Sequence, residues 1–240
     1  MNEKKSHIIK AFDGIGITIS DKQAEQFLSY YELLVEWNEK MNLTAITDFE
    51  DVVVKHFLDS AYGGQVYSFG EDDTVLDLGT GAGFRGIPLK ILHPETTFVL
   101  MDSLQKRINF LNEVITQLGL GRITAVHGRA EEMARNKDYR ERFDVCTSRA
   151  VANTSTLLEY CIPFLKTGGC FIAYKSGKFK EEIECAKKTL HLLQTEIETE
   201  KEFRLADTDN ERTLVVFRKK AKTAAKYPRK AGMPSKQPLG

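Results

Sequence analysis

The stretch 74–86, TVLDLGTGAGFRG, decides the fold: an apolar run of strand character gives way to Gly79, Gly81, Gly83 and Gly86. A strand ending in Gly-x-Gly-x-Gly brings backbone close to a ligand where a Cβ would collide, and open α/β sheets bind ligands beyond their strand C-termini. The glycines carry two frames. Residues 81–86 satisfy G-x-G-x-x-G, a weak pattern that fits a dinucleotide or a merely structural turn. The other frame starts at Asp77, two residues before Gly79.

Beyond this stretch the pattern alternates. Apolar runs at 74–78, 97–101, 123–127, 143–147 and 170–175 read as strands, with helices at 87–92, 104–118, near 130 and at 154–165 between them. Alternation at this period means a parallel sheet wrapped by helices. A helix over 180–193 and two β-rich runs, 195–204 and 213–218, complete a mostly parallel seven-stranded sheet edged by an antiparallel hairpin. Upstream, Ser20-Asp21-Lys22-Gln23 and Thr47-Asp48-Phe49-Glu50 have the form of capping boxes. The apolar positions that follow each recur at helical spacing, Asn38 alone interrupting the first stripe.

An apolar content of 42% with 28% charged residues is that of a folded globular chain. Cys146, Cys161, Cys170 and Cys185 form no C-x-x-C pair and have no histidine at zinc spacing, so neither a metal nor a disulfide framework is expected. The start holds no apolar segment of signal length, and no apolar run is long enough to span a membrane, so a cytoplasmic location is expected. The zero net charge conceals a division. Residues from Arg218 onward hold eight basic groups and no acidic ones, leaving 26 basic against 34 acidic in 1–217. A block of that kind suggests a polyanionic partner.

Asp77 weighs between the two cofactor frames. Beside a pyrophosphate it adds repulsion of about 4 kcal/mol at roughly 4 Å in an effective dielectric of about 20, whereas beside a cation it attracts. S-adenosylmethionine carries a sulfonium and an ammonium, so the acidic lead favours it over NAD. Asp102 ends the second strand where a ribose hydroxyl of either cofactor would lie. The alternative for Asp102 is an N-cap, which Ser103 is equally able to supply. His127-Gly128-Arg129-Ala130-Glu131 follows the third strand at the adenine edge. Arg149 lies just past the fourth, facing a carboxylate or the substrate.

These ordered positions resemble the class I S-adenosylmethionine-dependent methyltransferase fold, a Rossmann-like α/β core. The segments NLTAITDFEDVVVKHFLDS, VLDLGTGAGFRGIPLKI, MDSLQKRINFLNEV, GRAEE, DVCTSRAVA and KYPRKAGMPSKQPL narrow the resemblance to the bacterial 16S rRNA guanine-N7 methyltransferase family, formerly glucose-inhibited division protein B. The resemblance spans nearly the whole chain. It implies a helical extension over 1–65, a methyltransferase core over 66–218 and a basic tail over 219–240. It implies S-adenosylmethionine as cofactor, with contacts at Gly79, Phe84, Ala130, Glu131 and Arg149, beside Asp77, Gly81 and Asp102 read from the residues themselves. The implied partner is 16S rRNA or the small ribosomal subunit, with neither membrane nor DNA, and the target a guanine in the decoding-region loop. An NAD-dependent oxidoreductase and a non-catalytic ribosome-binding protein stand as alternatives. One departure is Arg85, where the family commonly has proline: it is expected either to touch RNA or to be solvated.

N7 of guanine bears a lone pair and no proton, so catalysis reduces to positioning and charge placement and no catalytic residue is assigned beyond Arg149 as a positioning candidate. The chain accordingly lacks the Asn-Pro-Pro-Tyr and Pro-Cys elements that exocyclic amines and pyrimidine carbons require, and none of the cysteines is given a catalytic role. His56, Asp59 and Ser60 share a helix face, either joining the N-terminal helices to the sheet or rimming the cofactor pocket. In the tail, Lys226-Tyr227-Pro228-Arg229-Lys230 combines charge with an aromatic able to stack on a base, and Pro228, Pro234 and Pro238 argue against a helix.

Overall fold

The structure, a computed structural model, describes residues 3–148, 152–176, 179–205, 208 and 211–239. Its sheet has seven strands: β1 (Thr74–Leu78), β2 (Thr97–Asp102), β3 (Ile123–His127), β4 (Phe143–Ser148), β5 (Leu165–Ser176), β6 (Thr195–Arg204) and β7 (Glu211–Lys219). They lie in the order β3-β2-β1-β4-β5-β7-β6. The first five are parallel, and β7 runs antiparallel between β5 and β6. The chain moves outward from β1 to β3 and then returns to place β4 on the other side of β1. That reversal opens a crevice between β1 and β4 at the strand C-termini.

Side chains alternate along β1, so Val75 and Asp77 point to one face and Leu76 and Leu78 to the other. Val75 joins a core with α1 (Glu3–Gly14), α2 (Asp21–Met41) and the helical run at 49–65. That run comprises α3 (Phe49–Val52), a π turn at Val53–Leu58, α4 (Asp59–Ala61) and a 3₁₀ turn at Tyr62–Gln65. The same face carries α5 (Gly86–Leu92) and α6 (Gln105–Gln117). Leu76 and Leu78 join a second core beneath α7 (Ala130–Met133), α8 (Thr154–Cys161) and α9 (Phe179–Leu192). The N-terminal helices thus cover one side of the sheet only.

Ser20 and Gln23 make both bonds of a capping box at the start of α2. The second cap sits one residue later than the sequence suggests: Asp48 accepts from Asp51 N at 3.0 Å, while the Thr47 carbonyl accepts from the Tyr31 hydroxyl. Asn38, the interruption in the stripe, accepts from Thr44 N at 2.8 Å and fixes the chain leaving α2. The helix expected over 154–165 yields to a 3₁₀ turn at Ile162–Phe164 that contains Pro163. β5 then begins at Leu165 rather than 170, accommodating Gly168 at φ +86° beside an irregularity in its pairing with β4.

The C-terminal segment, read from the sequence as a basic tail, folds against the core. Arg218 and Lys219 belong to β7, paired with Glu198 and Glu141, and Lys220 pairs with Glu196. Arg229 grips the fully buried Glu159 through Nε and Nη2 at 2.9 and 2.7 Å. Arg140 donates to the carbonyls of Thr223 and Tyr227, and Tyr227 is buried. A short helix, α10 (Met233–Lys236), does form. Pro234 sits in its first turn, where a missing N–H costs little.

Candidate cofactor and active site

A cavity of about 350 Å³ opens at the carboxyl ends of β1 to β4. β1 contributes Leu78 and Gly79, and β2 contributes Met101, Asp102 and Ser103. Gly128, Arg129, Ala130 and Glu131 follow β3; Ser148 ends β4, and Leu157 and Tyr160 come from α8. The sequence reading brought Gly79, Asp102, Ala130 and Glu131 to one place, and the structure sets all four in this wall. It missed Leu157 and Tyr160. Their three-residue spacing on an apolar helix gave only a packing signal.

The glycines divide the labour. Gly79, Gly81 and Gly83 all have positive φ, at 67°, 64° and 87°. A Cβ on Gly79 would meet no atom within 4 Å, so its glycine serves the backbone bend and leaves the cavity wall bare. A Cβ on Gly86 would instead lie 2.1 Å from a methyl of Leu100. The G-x-G-x-x-G frame therefore ends in helix-to-sheet packing, while the cavity is served by the frame that starts at Asp77.

Asp77 itself requires a correction. It is 1% exposed, does not line the cavity, and cannot act there as a counter-charge at the mouth. Strand alternation turns it under α5, where Oδ2 accepts from Gly86 N at 2.9 Å and from Thr80 Oγ1 at 2.6 Å. Thr147 Oγ1 donates to Oδ1 at 3.3 Å. Burial raises its pKa, opposed by these bonds and by the Arg85 charge. A carboxylate already occupies the helix N-terminus to which a dinucleotide would bring its pyrophosphate. The acidic lead still disfavours NAD, by occupancy rather than by repulsion across the mouth.

Asp102 is 3% exposed and holds the glycine turn in place. Its Oδ2 accepts from Gly81 N at 3.0 Å, Oδ1 accepts from Leu104 N at 2.9 Å, and Arg107 pairs with it at 3.1 Å. It is not the N-cap of α6, and neither is Ser103; Leu104 takes that position. Arg107 Nη1 donates to both oxygens, at 3.4 and 3.1 Å, so four bonds occupy the about four acceptor sites of this carboxylate. Gly81 acts through its backbone N–H on Asp102 and is not itself a wall residue.

Phe84 is also displaced from its expected place. It is 4% exposed and stacks on His56 with ring centroids 3.7 Å apart, while its carbonyl accepts from Ser60 Oγ. Arg85 is buried as well, against both expectations for it. Its guanidinium pairs with Asp59, donates to Ser60 Oγ at 2.7 Å and lies 4.1 Å from the Tyr174 ring centre. His56, Asp59 and Ser60 thus bind the N-terminal helices to the turn after the glycines and do not line the cavity.

Glu131 accepts from Gly232 N at 2.9 Å, which joins the C-terminal segment to the cavity wall. Burial and the Glu131 charge raise the pKa of neighbouring Tyr160. Cys146 and Cys170 are buried in strands, and burial pushes the Cys170 thiol up to about 12, which disfavours a thiolate. Arg149 lies outside the described residues.

The family described as rRNA small subunit methyltransferase G matches residues 23–214. "Ribosomal RNA small subunit methyltransferase G" of Lachnoclostridium phytofermentans is 53% identical over 234 residues, covering 98% of this chain and 97% of its own. The protein of that name from Exiguobacterium sibiricum is 48% identical over 240 residues, covering 100% of both. Among solved structures, M. jannaschii TYW2 in complex with AdoMet superposes with a TM-score of 0.51 at 16% identity, over 66% of this chain and 74% of that one. A SAM-dependent O-methyltransferase of Thermotoga maritima gives 0.51 at 15% identity, over 80% and 72%. At such identities the structural likeness speaks for the fold.

Proposed function

The chain belongs to the rRNA small subunit methyltransferase G family, and from that premise we propose that it methylates N7 of a guanine in the decoding-region loop of 16S rRNA, using S-adenosylmethionine. The observation that carries the cofactor is the cavity: its wall is bare at Gly79 and bears the Asp102 carboxylate, while Asp77 fills the adjacent helix N-terminus. Neither an NAD-dependent oxidoreductase nor a non-catalytic ribosome-binding protein finds support in the family.

Bound there, S-adenosylmethionine supplies a methyl group on a positively charged sulfur, open to attack by a lone pair. Ribose hydroxyls would take the place of the partly exposed Arg107 on Asp102, and Leu78, Met101 and Leu157 give an apolar wall suited to a base. Ala130 and Glu131 complete that wall on the β3 side, with Glu131 fixed by Gly232. Arg149, following β4, holds the methionine carboxylate or the substrate. N7 needs no base, so these groups act by orientation and by excluding water.

Lys222, Lys226, Lys230 and Lys236 have no acidic partner among the described ion pairs and supply the RNA-facing charge of the C-terminal segment. The substrate is 16S rRNA, free or within the small subunit, and the cytoplasm is the expected place of action. Thermal unfolding with each cofactor tests the site: S-adenosylmethionine raises the midpoint and NAD does not. Equal shifts would remove the cofactor assignment. Labelled-methyl transfer to naked 16S rRNA and to small subunits shows which form is used.

A further inference from the structure

Folding withdraws two groups that the C-terminal sequence offers to RNA: Tyr227 is buried, and Arg229 is spent on Glu159. What the segment leaves in solvent is Met233, 38% exposed, with exposed Lys230 and Lys236 three residues to either side. Among the described residues the other large apolar side chain of comparable exposure is Leu104, at 42%. Single exposed apolar residues need no explanation. Each of these two follows in the chain a residue that lines one cavity or bonds its wall.

Leu104 follows Ser103, and Met233 follows Gly232, whose N–H is bonded to Glu131; Ser103 and Glu131 both line the cavity. Leu104 also occupies the N-cap of α6 and makes no side-chain cap bond, in a position where a Ser, Thr, Asp or Asn would stabilise the helix by about 1 kcal/mol. An apolar residue there forgoes stability. Exposed Arg129 lies on the cavity wall, and exposed Lys106 lies in the first turn of α6. Neither has an acidic partner among the described ion pairs, and the exposed acid nearest in sequence to Arg129 is Glu132.

We propose that this rim receives the target nucleotide's neighbours, with Leu104 and Met233 packing against the bases that flank the guanine and Arg129 against its phosphate. The proposal rests on the reaction given above. A guanine that presents N7 to the cavity must leave its stack, so the flanking bases lose a neighbour. Apolar side chains at the mouth replace that contact, while the cations meet the backbone.

The test is methyl transfer to 16S rRNA by wild type, Leu104→Ala, Met233→Ala and the double variant, beside calorimetric Kd values for S-adenosylmethionine. Both residues are exposed, so the variants keep the fold. Each single change raises KM for RNA roughly three- to five-fold and the double change more than about ten-fold, with cofactor Kd within about two-fold of wild type. Arg129→Gln lowers the slope of log RNA affinity against log salt by about 0.7. A double variant with wild-type KM overturns the proposal. So does a KM rise matched by the same rise in cofactor Kd, which would mean that the residues only brace the cavity. A wild-type protein that transfers no methyl to 16S rRNA overturns the underlying reaction as well.

Discussion

Gly79 is where residue chemistry and cofactor meet most directly. Its positive φ costs an alanine about 1 kcal/mol, and the added methyl meets no protein atom, so it projects into open space beside the cavity wall. Gly79→Ala is expected to weaken S-adenosylmethionine binding about ten-fold or more in calorimetry while lowering stability by only about 1 kcal/mol. Wild-type affinity would remove Gly79 from the site. Arg149→Ala is expected to abolish methyl transfer with the fold intact by circular dichroism, and full activity would remove that residue. Arg85 answers to stability instead. Arg85→Met leaves the buried Asp59 only Arg212, at 3.7 Å, and is expected to cost about 3 kcal/mol in urea unfolding, with Asp59→Leu added to it recovering part of that loss. These orientations were partly legible. The period of two along β1 already placed Asp77 with Val75, away from Leu78, whereas pairing of Arg85 with Asp59 across 26 residues left no local mark.

Elements with strong periodicity or sharp punctuation were legible almost to the residue. β1, β3 and β6 run over the expected spans; β1 and β3 are apolar runs that glycines flank, and β6 starts where the α9 pattern stops. Gly168 and Gly169 hid the start of β5, since a bulge reads locally as a turn. α5 carries a device that no periodicity reveals: Lys90 is buried, donating to the carbonyls of Pro94 and Thr96 at 2.7 and 2.6 Å. Burial lowers its pKa from 10.5 to about 8. Between those two values the unfolded chain keeps a proton that the folded chain releases, so Lys90 makes stability rise with pH across that window. Lys90→Met is expected to flatten this rise in urea unfolding followed from pH 8 to 10. A wild-type-like slope in the variant would show that other groups govern it.

At the scale of the whole molecule, the basic ending was legible as charge but not as structure. Its partners Glu131, Glu141 and Glu159 lie 101, 78 and 70 residues away in sequence, and only the assembled sheet brings them together. Truncation is therefore a poor probe, because it strands the buried Glu159. Changing Lys222, Lys226, Lys230 and Lys236 to Gln is the cleaner one, expected to flatten the log-affinity against log-salt slope for RNA by about 3, from roughly 0.7 per phosphate contact. An unchanged slope would place the RNA elsewhere. The central claim unites this charge with the cavity at the β1–β4 crevice, and methyl transfer tests it most directly. After incubation with labelled S-adenosylmethionine and 16S rRNA, the label is expected at N7 of a single guanine in the decoding-region loop. Label on another atom or another RNA, or no transfer at all, would contradict the account.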